Sequence, residues 1–394
     1  MTGKTTLIEN ARLVFPGCAI QTGSLAMRGG TITFVGDAGE RPPEWDEGID
    51  ADGSLLTPGL IDLHTHGIER FRYDGGPEEV LEATSCLGKY GCTSVLPTLL
   101  GRRDAEFVEY VSAVSRVLSD VSSVAVPGLH VEGPFMARIG VACPTVAGDV
   151  GFVRELLAAG EGRVRVMSLS PEVAGIVPVI ELLVREGVLP FITHTGASVA
   201  ETQRALDAGA CHATHFYDVF YAPPETDLGV RPVGCVEAIL ADPRATVDFI
   251  CDGVHVDPVA VRMGLLCKGW QNVVLITDSN IGAGLPAGEY DTPWGFRIRV
   301  RPEEAARVLP PHELAGALAG SALTMNRGMA NLHAWFGEEY ASEQLWALAT
   351  SNPARLIGQA SKGVLQVGAD ADLVLWGEDF EPVVTWVGGR RVYG

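Results

Sequence analysis

From Leu60 to about Ser279 the chain alternates two textures. Short runs of β-branched and other apolar residues, such as TSVLPTL from Thr93 and NVVLITDS from Asn272, lead into Gly- or Pro-marked loops and then into stretches of helical period. Eight such runs begin at Leu60, Thr93, Val124, Val164, Leu189, His212, Ala245 and Asn272. Their spacing is close to the ~30 residues that one strand–helix–strand unit needs. Between them, the segments Pro77 to Gly91 and Ser198 to Ala210 gather apolar residues on one face and end near a glycine suited to a helix C-cap. Apolar strands of this kind are buried on both faces by crossover helices, which predicts an α/β fold, a (β/α)8 TIM-like barrel.

The two ends of the chain have a different rhythm. Residues up to about Leu56 and the tail from GVLQVGADADLVLWG onwards give short strands with turn punctuation. We read them as one small β-sandwich domain built from both chain termini. The expected boundaries are 1–56 for its N-terminal part, 57–358 for the barrel and 359–394 for its C-terminal part, with a helical segment from Leu323 to Gly358 joining the two bodies.

Composition narrows the function. Hydrophobic residues make up 47% and charged residues 20% of the 394, which suits a folded protein with a sizeable core. Lys and Arg number 29 against 49 Asp and Glu, a formal net charge of −20, the wrong sign for neutralising a phosphate backbone. No nucleic-acid partner is expected. The eight cysteines are dispersed with no C-x-x-C pair, so neither a zinc knuckle nor a disulfide framework is indicated. Lys4, Glu9, Asn10 and Arg12 interrupt the apolar residues near the N-terminus, and no stretch has the length of a membrane span. No membrane partner and a cytoplasmic location are expected.

The unusual polar residues fall where barrel chemistry occurs, at the carboxyl ends of the strands. His64 and His66 end the first run, Glu132 the third, His194 the fifth and His215 the sixth; His255 follows the seventh and Asp278 closes the eighth. Two imidazoles at i and i+2 share one face of a strand and can hold one ion. A lone H-x-H is a weak motif, but five strand ends converging on imidazole and carboxylate predict a divalent-metal site. His130, two residues before Glu132 and on the same face, reads either as a support of the metal ligands or as a packed interior residue, and His212, His312 and His333 read as structural or loop residues.

Together these segments resemble the amidohydrolase superfamily and, within it, the N-acetylglucosamine-6-phosphate deacetylases. The resemblance covers nearly the whole chain, through TPGLIDLHTHG, GLHVEGPF, ATHFYDVF, CDGVHVDP, LITDS and LAGSALTMNRGMANL. It implies Glu132, His194 and His215 as metal ligands, His64 and His66 as the first-strand pair, and Asp278 as the catalytic acid–base. Zinc is the first expectation, with Fe, Mn, Co or Ni as alternatives, and one or two ions. It also implies a homodimer acting on a small N-acyl amino sugar. His255 and Arg231 match phosphate contacts of the family, the latter reaching in from a second subunit.

Departures fall in segments that face substrate. Ala142 stands at the position of a family His that contacts the substrate amide. Asp218 replaces an Asn beside the sugar-phosphate subsite. HTHGIERF places Glu69 where small residues are typical, so Glu69 and Asp218 are expected to carry acidity into the pocket, where it would repel a phosphate. Three readings follow: deacetylation of N-acetylglucosamine 6-phosphate, the same chemistry on a non-phosphorylated or otherwise different N-acyl substrate, and a non-catalytic binding protein.

Overall fold

The computed structural model describes residues 3–138, 145–292, 295–301 and 304–394. Its centre is a ring of eight parallel strands, which we number β1 Leu60–Thr65, β2 Cys92–Leu100, β3 Leu129–Glu132, β4 Val164–Leu169, β5 Leu189–Ile192, β6 His212–Ala213, β7 Thr246–Ile250 and β8 Val273–Ile276. Each pairs with the next in chain order from β1 to β8. The seam between β8 and β1 is closed by other bonds: the Asp278 N–H donates to the His64 carbonyl at 2.8 Å, and the Thr277 hydroxyl to Asp62 at 2.6 Å. The third apolar run is shorter than its sequence suggests; the strand starts at Leu129, and Ala125 makes only an isolated bridge to Ser94.

Alternation along the strands separates two cores. Val273 and Leu275 of β8 face the helices, whereas Val274 and Ile276 join Ile61, Leu96, Val166, Phe191 and Ile250 in the barrel interior. Ala354 and Ile357 complete this inner cluster. Local signals set the helix limits. Ser198 and Glu201 form a reciprocal capping box that starts the helix Val199–Asp207, and Gly91, at φ 73°, ends the turn that follows the helix Pro77–Cys86.

Five strands before residue 59 and three after residue 372 form one eight-stranded sheet. Leu55–Pro58 lies between the two sets, parallel to Thr5–Phe15 and antiparallel to Leu373–Trp376. Trp376 packs its ring 5.2 Å from Trp346 of the barrel body, tying the sheet to the barrel, and donates its indole N–H to Thr57 of the neighbouring strand at 2.8 Å. A feature absent from the sequence reading is a three-stranded antiparallel sheet, Gly288–Asp291, Arg297–Val300 and Arg307–Val308, with a small core of its own over the loops after β8.

Candidate metal centre

Five strand ends deliver the site. Glu132 is the last residue of β3, and His64 lies near the end of β1 with His66 just beyond it. His194, His215 and Asp278 each sit two residues past their strand with φ of 47°, 36° and 47°, a left-handed backbone that ordinary side chains rarely adopt. Such conformations cost about 1–3 kcal/mol each and persist where surrounding bonds over-determine them. The His194 carbonyl accepts from Arg138 N–H at 3.0 Å and from the Ser170 hydroxyl at 2.8 Å. The His215 N–H donates to the Asp248 carboxylate. Asp278 is held on both sides, by its N–H to His64 and by Ser321 N–H to its carbonyl at 2.9 Å.

The geometry centres on Glu132, whose two oxygens face different partners. Oε1 lies 3.2 Å from His194 Nε2 and 3.1 Å from His215 Nε2; Oε2 lies 3.1 Å from His66 Nε2 and 3.7 Å from His64 Nε2. Asp278 Oδ1 completes the second group, 3.3 Å from His66 and 3.5 Å from His64. Two sets of mutually close donors result, His64–Glu132–His215 and His64–His66–Asp278.

The imidazoles are aimed. His64 Nδ1 lies 3.1 Å from Thr214 Oγ1, whose hydroxyl donates to Asp248 at 2.9 Å, so Nδ1 carries the proton. Nδ1 of His194 faces the Arg138 carbonyl at 3.2 Å, and Nδ1 of His215 faces the Asp218 carbonyl at 3.3 Å. A carbonyl can only accept, so these three rings present an unprotonated Nε2 to the centre in their neutral form, as metal ligation requires. His66 Nδ1 is buried with no partner.

Charge balance points the same way. Burial opposes ionisation of Glu132, yet the His64 charge and hydrogen bonds from His194 and His215 hold its carboxyl well below the usual range. Asp278 is likewise held low against burial, by His66 and His64. Burial resists a charge on His215, and the Glu132 hydrogen bond and charge still push its pKa up to about 10. Two buried carboxylates thus demand positive charge among them, and nitrogen and oxygen donors of this kind suit zinc or another first-row divalent ion.

The remaining predicted residues are placed as follows. His255 is nearly enclosed, its Nδ1 2.7 Å from Asp252, and burial of the imidazole is outweighed by that carboxylate, which raises its pKa. Asp218 is mostly buried beside His215, its Oδ2 4.0 Å from Nδ1; burial raises its pKa against the pull of His215 and His255. Arg231 is not brought to the cluster within this chain: its side chain is 89% exposed and lies 3.6 Å from Glu237. Ala142 lies outside the described residues. Glu69 departs from its expectation, because it turns to Lys89 at 2.9 Å and to the Tyr90 hydroxyl at 2.8 Å, and these partners neutralise the acidity assigned to the pocket.

Supporting residues lie beneath the ligands; of these Asp248 and Glu172 were missed in the sequence, whereas a supporting place was one of the two readings of His130. Asp248, wholly buried, accepts from His212 Nε2 at 2.8 Å, from Thr214 and from His215 N–H. His130 packs its ring 4.6 Å from His64 and bonds to the Leu63 carbonyl and Ser168, each at 3.0 Å. Glu172 accepts from the Thr195 hydroxyl and Gly196 N–H, both at 2.6 Å, fixing the turn after His194. A readable signal existed for Asp248: a charged residue inside the apolar run ATVDFIC.

A parallel barrel that gathers four imidazoles and two carboxylates at the carboxyl ends of its strands defines a class, the metal-dependent barrel hydrolases. The chain belongs to the amidohydrolase family, whose model matches residues 55–392, and within it to the N-acetylglucosamine-6-phosphate deacetylase family. It is 30% identical over 345 residues to N-acetylglucosamine-6-phosphate deacetylase from Vibrio furnissii, covering 86% of this chain and 83% of that one. It is 28% identical over 349 residues to N-acetylgalactosamine-6-phosphate deacetylase from Escherichia coli O157:H7, covering 86% and 88%. Among solved structures, N-acetyl-D-glucosamine-6-phosphate deacetylase from Mycobacterium smegmatis, in complex with N-acetyl-D-glucosamine-6-phosphate, aligns over all of both chains with a TM-score of 0.84 and 27% identity.

Proposed function

We propose that this protein hydrolyses the N-acetyl group of an N-acetylated amino-sugar 6-phosphate, with N-acetylglucosamine 6-phosphate as the first substrate to test. The observation that carries the reading is the common aim of the Nε2 atoms of His64, His66, His194 and His215 at the two oxygens of Glu132. His64, His66, Glu132, His194 and His215 are proposed as the metal ligands. His64 is common to the two donor sets, and the two oxygens of Glu132 face different imidazoles, which supports two adjoining ion positions. A divalent ion held there, zinc in the first instance, lowers the pKa of water and polarises the acyl carbonyl.

Asp278 is the group placed to move protons. Its carboxylate is ionised and within 3.5 Å of both β1 imidazoles, so it can take a proton from the attacking water. It then delivers that proton to the departing nitrogen, giving acetate and the free amine. His255 and Arg231 are proposed to contact the phosphate, His255 from within the chain and Arg231 across a homodimer. The exposure of Arg231 and of its neighbours Leu228 and Val230 supports that arrangement. Among the described residues no helix is long and apolar enough to cross a membrane, and a cytoplasmic enzyme is proposed.

The buried carboxylate of Asp218 favours one second reading, the same hydrolysis on an N-acyl sugar without the phosphate. Measuring kcat/KM on N-acetylglucosamine with and without its 6-phosphate decides between them. A large advantage for the phosphate is expected; equal values would move the assignment to the neutral sugar.

A further inference from the structure

Beside the metal centre, behind the loops that follow β7 and β8, lies a cavity of about 710 Å³. The ends of those loops are where barrel enzymes commonly seat phosphate groups. One wall is a single face of the helix Met325–Phe336, where Arg327, Asn331 and Trp335 recur every fourth residue. Arg301, one residue past the strand Arg297–Val300, also lines the cavity. None of the six proposed metal and acid–base residues lines this space.

Several of the wall groups already have partners. Asn331 donates to the Cys251 carbonyl at 2.8 Å. The Trp335 ring packs against the turn at Gly253, where an added Cβ would come within 3.3 Å of it. Asp252 is occupied by the His255 ring and by the N–H groups of Val254 and His255. Glu304 reaches one nitrogen of Arg301 at 3.5 Å. Arg327 has no ion pair or hydrogen bond among the described residues. Two arginines therefore share one cavity in a protein of net charge −20, and among the described residues that line it Glu304 is paired with Arg301 while no carboxylate pairs with Arg327. That arrangement leaves the Arg327 guanidinium able to take an anion, with Arg301 and an indole ring lining the same space.

We propose that this cavity is a second binding site, for a phosphorylated sugar, with Arg301 and Arg327 on the phosphate and Trp335 against the sugar ring. It is coupled to the reaction through its own wall. Trp335 abuts Gly253, Gly253 adjoins Asp252, and Asp252 orients His255, so an occupant that shifts the turn shifts the His255 imidazole.

Glucose 6-phosphate is a suitable probe because it has no amide to hydrolyse. Calorimetric titration of the metal-loaded enzyme, with inorganic phosphate in parallel, measures binding without turnover. A steady-state series with the deacetylation substrate then measures its effect on kcat. The wild type is expected to bind the probe and to change kcat at saturating substrate, whereas Arg327→Gln and Arg301→Gln each weaken binding by about tenfold or more, as loss of a charge-assisted contact predicts. Both variants should keep the kcat/KM measured without probe. Equal binding of inorganic phosphate would place recognition in the phosphate alone and remove the Trp335 contact. Purely competitive inhibition that is the same in all three proteins would place the probe at the metal centre and overturn the proposal, as would an absence of binding to the wild type.

Discussion

The backbone N–H of Asp278 donates to the carbonyl of His64, so the proposed acid–base is tied by 2.8 Å to the strand that carries two of the proposed ligands. The same bond helps close the barrel between its first and last strands. Its carboxylate is thereby set beside the imidazoles by a main-chain contact that a side-chain substitution leaves intact.

Asp278→Asn should accordingly keep its metal and lose most turnover. Removing a positioned acid–base typically costs 10²–10⁴-fold, and a fall in kcat of about that size is expected, with ion content by atomic absorption unchanged. Activity near that of the wild type would take Asp278 out of the reaction.

Loss of the β1 imidazoles separates one ion from two. The double variant His64→Asn, His66→Asn retains Glu132, His194 and His215 and should fall from two ions per chain to one, with a matching loss of activity. Full activity and unchanged ion content would show that the His64–His66 set holds no ion.

Metal affinity should rise with pH. Without an ion, the His215 imidazole, pushed up to about 10 by the Glu132 carboxylate despite burial, holds a proton at neutral pH. That proton must leave before Nε2 can bind metal, so apparent affinity should increase by up to about tenfold per pH unit for each proton displaced. Chelator competition between about pH 6 and 8 reads the slope; a flat profile contradicts the assignment of His215.

Asp248 acts through others, and its replacement tests that. Asp248→Asn leaves the shape but weakens the grip on Thr214, which orients His64, and on the His215 backbone. A loss of about 10–100-fold in metal affinity is expected, as for other partners of metal-bound histidines. Excess metal should restore much of the activity, which a simple folding defect would not allow.

The barrel was legible because its strands are buried on both faces and so read as apolar runs, one per unit. The proposed ligands were legible for a related reason: imidazoles and carboxylates at the ends of such runs have no packing role to explain them. Asp62 lies two residues before His64 and Asp248 in the middle of its apolar run, seven before His255, so neither stands at a strand end, although a carboxylate inside a buried strand is itself unusual. The conformation of His194, His215 and Asp278 could not be read, because a left-handed backbone at a non-glycine residue is imposed by bonds from elsewhere in the fold. Glu69 shows the limit of charge counting along the chain, since Lys89 and Tyr90 meet it only once the first helix has turned back.

The sheet built from both chain ends sets an order of events during synthesis. Thr57 and Trp376 meet across 319 positions, and the strand Leu55–Pro58 lies in the sheet between Thr5–Phe15 and Leu373–Trp376. On the ribosome the strands before residue 59 emerge ahead of the barrel and must wait, with one edge open, until the strands after residue 372 have been translated. Contacts of such long range are slow to form, and an exposed strand edge invites pairing with another nascent chain. The barrel can gather its helices and strands progressively, but this sheet is completed only once Leu373–Trp376, Pro382–Val387 and Arg390–Tyr393 have emerged.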